Sequence, residues 1–547
     1  MQQRTLFRPL IPACATLLGS LFLAGCAAAP VPPADPAPEL EEEVRDEARD
    51  ETSVAWWERR GRAAIARART PIADGDARNL ILFVGDGMGV STVTAARILA
   101  GQQAGGSGEG HQLSFERFPR AGLAKTYNTN QQTPDSAGTM TAMITGAKTL
   151  AGVLSVDGSV TRGDCASSRD AAVPTLVEQA EDAGLATGIV STARITHATP
   201  AATYAHTPER NWEVDTAMPA EAKAAGCRDI AAQLLDFDHG DGIDVILGGG
   251  RSMFLPSSEA DPEQAFLDGR RGDGRNLIRE WQAANPGGHW VWNAEQFAAI
   301  PDDGGPVLGL FEPSHMQFEV DRPRDPGGEP SLAEMTELAI RRLEARGSGY
   351  VLVVEAGRID HAHHAANAWR ALTDTIALSD AVERATELTS DDDTLILVTA
   401  DHSHTLTIAG YPTRGNPILG LVVGNDASGR PSDEPMEDAL GLPVTTLSYA
   451  NGPGWHGATD TQEAGPKRLP HRFGKAEPHP QGRADLSDVD TTDPMFLQEG
   501  TAPSASETHA GEDVPVYVRG PGADLLGGVI EQNVIYYLLE AALGDAL

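Results

Sequence analysis

Short apolar runs rich in β-branched residues recur along the chain, and stretches with helical spacing separate them. Asn79–Gly85 (NLILFVG), Tyr350–Val354 (YVLVV) and Thr394–Thr399 (TLILVT) are continuous apolar runs, the pattern of strands covered on both faces. Thr187–Ser191, Ile243–Leu247 and Val514–Val518 read as further strands. Helices are predicted over Val54–Ala68, with Trp56 and Trp57 as apolar anchors, and over Ser91–Ala100, Ser136–Thr145 and Thr175–Ala183. Others are predicted over Ser331–Ala345 and Trp369–Leu388, with Val529–Leu543 as a closing helix. Gly101–Gly110 reads as a loop. Strands alternating with helices predict an α/β fold, a three-layer sandwich around a mostly parallel sheet. Residues 405–505, rich in Gly, Pro, Asp and Thr, break the alternation and read as an irregular, crown-like insertion.

The N-terminus departs from this pattern. Arg4 and Arg8 precede an apolar run through Leu23, then Ala24, Gly25 and Cys26. A basic region, an apolar region and small residues make a secretory signal. The LAGC ending resembles a bacterial lipoprotein signal, which implies cleavage before Cys26 and lipid attached to it. Plain secretion with cleavage nearby is the alternative. Residues 27–52 are Ala, Pro, Asp and Glu with few large apolar side chains, the composition of a disordered tether. An exported chain meets conditions that allow disulfides. Cys14 lies in the signal and Cys26 at its end, which leaves Cys165 and Cys227 as a natural pair. No apolar run of spanning length follows residue 26, so no membrane crossing is expected of the mature chain.

Charge narrows the function classes. The 547 residues carry 42 Lys and Arg against 78 Asp and Glu, a formal net charge of −36. So acidic a surface repels phosphate backbones, and no nucleic-acid partner is expected. Where the acids fall is more telling. Three predicted strands deliver an acid at their carboxyl ends: LFVGDG brings Asp86, LVVEAG Glu355, and LVTADH Asp401 with His402. Ligands of open α/β sheets bind at those ends. One Asp before a Gly is ordinary turn chemistry, but three such ends converge on one crevice. Asp360 and His364 lie one helical turn apart after Gly357, and His509 follows late in the chain. Mixed imidazole and carboxylate ligands suit Zn²⁺, and oxygen-only ligands suit Mg²⁺.

Together the stretches GDGMGVSTVTAARIL, PDSAGTMTAM, THATPAATYAHTPERNW, EAGRIDHAHHAANA, TADHSHT and ETHAGEDVPVYVRGP resemble the alkaline phosphatase family, nearer its animal members than its enterobacterial ones. The resemblance implies a catalytic domain over 53–547, hydrolysis of small phosphomonoester substrates through a covalent phosphoserine, two Zn²⁺ and one Mg²⁺, and a homodimer. It implies Ser136 as nucleophile and Arg210 as the phosphate-binding arginine. On residue type alone, Ser136 also reads as a helix N-cap and Arg210 as a surface ion pair. Asp86, Asp401 and His402 match one zinc site, and Asp360, His364 and His509 the other. Asp86, Thr199 and Glu355 match the magnesium site. His197 and His361 match histidines just behind the ligands, with His404 a weaker candidate for such a place, while His363 has no assigned role. FEPSHMQFEV resembles a calcium-binding segment, which implies Ca²⁺ held by Glu263, the Phe311 carbonyl, Glu312 and Glu329. The pattern departs from the family in DSAGTMT and in the longer, more polar 453–500 segment. Three further readings follow. A phosphodiesterase or sulfatase of the same superfamily is one. A non-catalytic phosphate- or metal-scavenging lipoprotein is another. The third concerns place: the bacterial cell envelope, periplasmic or at the outer membrane, held by an N-terminal lipid.

Overall fold

The computed structural model describes residues 54–547 apart from 69–71, 74, 302–303, 439–440, 460–463, 471–477 and 480–482. The signal, Cys26 and the 27–52 tether lie outside the described residues. The chain divides at Thr70. Val54–Ala68 in the first unit is helical as expected. Only Trp56 of its two tryptophans is buried there. Trp57 is about half exposed, its ring edge-on to Trp56.

The second unit, Pro71–Leu547, is built on a ten-stranded sheet. Its spatial order is Val529–Glu531, Arg120–Lys125, Val514–Arg519, Thr394–Ala400, Asn79–Gly85, Tyr350–Ala356, Ala186–Arg194, Val245–Gly249, Val307–Leu310 and His289–Val291. All neighbours run parallel except Val514–Arg519, which is antiparallel to both of its own. Every residue of the three central strands is buried. That is why they read as unbroken apolar runs: there is no wet face on which to alternate. One helix set is Val90–Gln103, Leu332–Arg346, Arg358–His364 and Ala368–Leu388; the other is Ser136–Thr145, Leu176–Asp182, Ala198–Ala201 and Val534–Leu543. Each set packs on itself and on the central strands, which gives the three layers.

Local chemistry fixes the helix ends. Ser331 and Glu334 form a capping box at the start of Leu332–Arg346, and Gly347 ends it in the left-handed region. The helix Val90–Gln103 runs three residues into the predicted 101–110 loop. Gly101 sits inside it because a Cβ there would lie 2.7 Å from the Gly108 Cα. The strand predicted at 243–247 is shifted to Val245–Gly249.

The closing helix is corrected more sharply. Val529–Glu531 is an edge strand beside Arg120–Lys125, and only Val534–Leu543 is helical. Gln532 between them donates to the Asp401 carbonyl at 2.7 Å, so a tertiary contact breaks the helix there. Within the insertion, Leu406–Ile408, Leu447–Gly452 and Gly500–Pro503 form a three-stranded sheet. Cys165 and Cys227 are joined as a disulfide, with Cα atoms 5.8 Å apart. Among the described residues no helix is long and apolar enough to cross a membrane.

Candidate active site

Register assembles the site. Gly85 lies opposite both Ala356 and Ala400 in the parallel ladders, so Asp86 and Asp401 leave adjacent strands at the same level. Glu355 points in one residue earlier, opposite Val84 on one side and Ser191 on the other. The antiparallel strand Val514–Arg519 starts at this same edge, so the segment before it carries His509 in. His509–Ala510 then pairs with Ser403–His404. Gly87 turns the chain with φ +71°, and a Cβ there would lie 2.4 Å from His404.

Ser136 is the first residue of its helix, and Asp135 is the N-cap. Asp135 Oδ1 accepts from the Gly138 amide at 3.2 Å, and Oδ2 accepts from the Gly152 amide at 2.9 Å and from Arg210 Nη1 at 3.1 Å. Ser136 is therefore not the cap; its hydroxyl is free to face the crevice, 3.1 Å from His402 Nε2.

Three imidazoles have fixed tautomers. His402 Nδ1 donates to the Ser403 carbonyl, His364 Nδ1 to the Glu507 carbonyl at 2.6 Å, and His509 Nδ1 to the Pro134 carbonyl at 2.8 Å. Each thus presents a bare Nε2 to the crevice. His402 Nε2 lies 3.4 Å from Asp86 Oδ1 and 3.3 Å from Asp401 Oδ2. His364 and His509 Nε2 are 3.2 Å apart and 3.3 and 3.4 Å from Asp360 Oδ1. Lone pairs that face one another and a carboxylate call for a cation between them.

The oxygens say the same. Both Asp86 oxygens, Asp401 Oδ2, Glu355 Oε1 and Thr199 Oγ1 are buried and make no hydrogen bond. Unsatisfied buried carboxylates are costly unless a metal takes them. Burial and the neighbouring Asp401, Asp360 and Glu355 push Asp86 well above the usual carboxylate range. Burial likewise pushes Glu355 up to about 7, against the hydrogen bond it accepts from Ser191 Oγ. Asp360 goes the other way: burial would raise it, but His364, His404 and His509 outweigh that and hold it well below.

The residues matched to the zinc and magnesium sites therefore lie in one crevice, in sets that fit cations: Asp86, Asp401 and His402; Asp360 with His364 and His509; and Asp86, Glu355 and Thr199. Arg210 reaches in beside Ser136, its Nη2 3.3 Å from His197 Nε2. His361 lies behind it, 5.4 Å from the His197 ring. His315, which sequence reasoning missed, packs against both, 4.0 Å from the His361 ring and 5.2 Å from the His197 ring, and its Nδ1 accepts from the Arg194 amide. His404 is more central than expected: both its nitrogens lie on carboxylates, 2.7 Å from Asp360 and 2.5 Å from Glu507, and these raise it to about 10 against the pull of burial. His363 is a satisfied core histidine between Thr92 Oγ1 and Tyr449 Oη, at 3.0 and 2.8 Å.

A second acidic cluster gathers Glu263, Glu312 and Glu329, and it adds Asp325, which sequence reasoning missed. Burial and mutual repulsion push Glu312 and Glu329 up to about 8. Glu329 Oε2 and both Asp325 oxygens have no partner. Arg251 is the cation that touches Glu263, and it is already paired with Asp261. The set fits a hard divalent ion. A Pro follows both Asp325 and Glu329, and that repeat is the signal that could have found Asp325.

Comparison with known proteins bears on family and fold. A family model described as alkaline phosphatase matches residues 77–544. Alkaline phosphatase of Gadus morhua is 42% identical over 472 residues, 85% of this chain and 91% of its own length. The tissue-nonspecific isozyme of Gallus gallus is 43% identical over 474 residues, 85% and 84% of the two chains. The solved Thermus thermophilus alkaline phosphatase superposes with a TM-score of 0.57 at 24% identity, covering 91% of this chain and 95% of its own. The enzyme of the Antarctic bacterium TAB5 gives 0.54 at 21%, covering 86% and 99%.

Proposed function

The chain belongs to the alkaline phosphatase family, and from that premise we propose that it hydrolyses phosphate monoesters through a phosphoserine formed on Ser136. Family membership makes it a phosphomonoesterase; the mechanism rests on the crevice. The observation that carries it is the ring of bare imidazole nitrogens and unpaired carboxylate oxygens around one serine hydroxyl at a helix start.

Ser136 Oγ attacks phosphorus as the P–O bond to the alcohol breaks, and water then cleaves the phosphoserine to release phosphate. Arg210 grips two phosphoryl oxygens with its planar fork, and Asp135 holds that fork beside the nucleophile. The helix N-terminus favours the same anion. Zinc ions on Asp86, Asp401 and His402 and on Asp360, His364 and His509, with magnesium on Asp86, Thr199 and Glu355, would stabilise the serine alkoxide and the leaving oxygen and acidify water. The donor set supports this, since Nδ1 of each of His364, His402 and His509 is taken by a backbone carbonyl, which turns Nε2 toward the crevice.

Ser136→Ala should abolish the phosphoenzyme and lower turnover of a small aryl phosphate by at least about 10³-fold. Full activity in that variant would remove Ser136 from the reaction. Chelation should silence the enzyme, with zinc plus magnesium restoring it. Monoester turnover far above diester or sulfate-ester turnover separates this reading from its superfamily rivals. Phosphate binding without turnover would mark a scavenging protein instead.

Calcium on Glu263, the Phe311 carbonyl, Glu312 and Glu329, with Asp325 beside them, completes the proposed ion set. The LAGC sequence supports a lipid-anchored protein of the bacterial cell envelope, and the family resemblance supports a homodimer. Labelled-lipid incorporation lost in Cys26→Ala, and mass measured in solution, test these two.

A further inference from the structure

We propose that Glu507 is the positioning residue of the second zinc set, orienting Asp360 through His404 and clamping His364 through its own backbone. The proposal rests on reading Asp360, His364 and His509 as zinc ligands. Glu507 is fully buried, and its side chain is used at both oxygens. Oε1 accepts from the Thr405 amide at 2.7 Å and from Thr405 Oγ1 at 2.5 Å. Oε2 takes His404 Nδ1 at 2.5 Å, which turns His404 Nε2 onto Asp360 Oδ1 at 2.7 Å. The backbone closes a second loop: the Glu507 amide donates to the His364 carbonyl at 2.9 Å, and its carbonyl accepts from His364 Nδ1 at 2.6 Å. That bond fixes the His364 tautomer and leaves Nε2 bare. His509, the remaining member of the set, is two residues further on.

The irregular insertion holds this arrangement in place. Asn451 Oδ1 accepts from the Thr508 amide at 3.1 Å, and Asn451 Nδ2 bonds Thr508 Oγ1 at 3.0 Å. Tyr449 of the same strand bonds His363, whose ring stacks 4.8 Å from His404. The insertion thus reaches the second zinc set without supplying a ligand, while the set of Asp86, Asp401 and His402 stands on strand ends of the main sheet. The two sets should therefore respond differently to the same substitution.

Zinc titration of metal-stripped full-length protein against a chromophoric zinc indicator tests this, with wild type, Glu507→Ala, Glu507→Gln, His404→Ala and the Glu507→Ala/His404→Ala double variant. Loss of a group behind a ligand weakens metal binding by about 10–100-fold. One of two tight zinc ions should weaken by that factor in Glu507→Ala and the other should hold. Glu507→Gln, which keeps an acceptor for Thr405, should fall between. The double variant should be no weaker than His404→Ala alone, since the side chain acts through His404. Breaking this buried pair also lowers the thermal midpoint of the metal-free forms, so the readout that a merely structural role would not give is the unequal loss between the two zinc ions. Unchanged zinc affinity, equal weakening of both ions, or a lowered midpoint with intact affinity would each overturn the proposal. A missing ion at saturation would make Glu507 a ligand and overturn it too. If wild type itself takes up no zinc, the zinc reading fails first and takes this proposal with it.

Discussion

The Asp135 carboxylate accepts from the Gly138 amide, the Gly152 amide and Arg210 at once, so it ties a helix start, a turn and the arginine proposed to grip phosphate to the position of Ser136. Asp135→Ala should show in two measurements. Loss of an N-cap costs about 1 kcal/mol in denaturant unfolding. Loss of the tether on Arg210 should raise the inhibition constant of inorganic phosphate by roughly 10-fold, because the fork then spends entropy to align. Unaltered phosphate inhibition would mean that Arg210 is held by other contacts. Residue type and context made much of this site legible. An Asp after a buried run, as at Asp86 and Asp401, stands out against apolar neighbours. His404 and Glu507 do not: one sits two residues past His402 in a short strand, the other in an irregular segment with no periodicity. Their meaning comes from meeting each other across more than 100 residues of chain.

Central strands and long helices were legible as elements because burial on both faces, or a capping box, writes itself into local sequence. Edge elements were not. Arg120–Lys125 (RAGLAK) has no β-branched residue, and it becomes a strand through its neighbours. Val529–Glu531 followed it out of the predicted helix. The long helix Ala368–Leu388 carries a feature that periodicity hides, the buried Asp374. Burial pushes its carboxyl up to about 8, while Arg358 pulls it down and the Glu319 amide bonds it. A folded-state pKa raised from the usual 3.8 means that the folded protein holds this proton where the unfolded chain has lost it. The contribution is therefore full below about pH 4 and drains away as pH rises toward 8. Asp374→Asn, which cannot ionise, should flatten the fall in stability between pH 5 and about 8 and raise the unfolding midpoint at pH 8. A steeper fall in the variant would contradict this. Parallel pH series of thermal midpoints for the two metal-free proteins are the measurement.

For the whole molecule, a net charge of −36 must be tolerated by the fold, and the second acidic cluster concentrates part of it between distant segments. Glu263, Glu312, Asp325 and Glu329 come from three loops, and the neighbouring Arg251 is committed to Asp261. Without a cation, burial and mutual repulsion push Glu312 and Glu329 up to about 8, so near pH 7 these two carboxyls hold protons where the loops meet. A calcium ion would replace those protons and cross-link the loops. Affinity should rise as pH climbs through 8, and near pH 7 binding should release protons, since ligands must ionise to bind. Calorimetry in two buffers of different ionisation enthalpy reads that release directly: between one and two protons per ion near pH 7, and close to none near pH 9. On protein already saturated with zinc and magnesium, calcium at about 100 times its dissociation constant should stabilise the fold by about 2.7 kcal/mol. Glu329→Gln should lose both effects while keeping phosphatase turnover near wild type at low temperature, because the cluster supplies no group to Ser136. A calcium response that survives in Glu329→Gln, or heats independent of buffer at pH 7, would place the ion elsewhere or exclude it from this cluster.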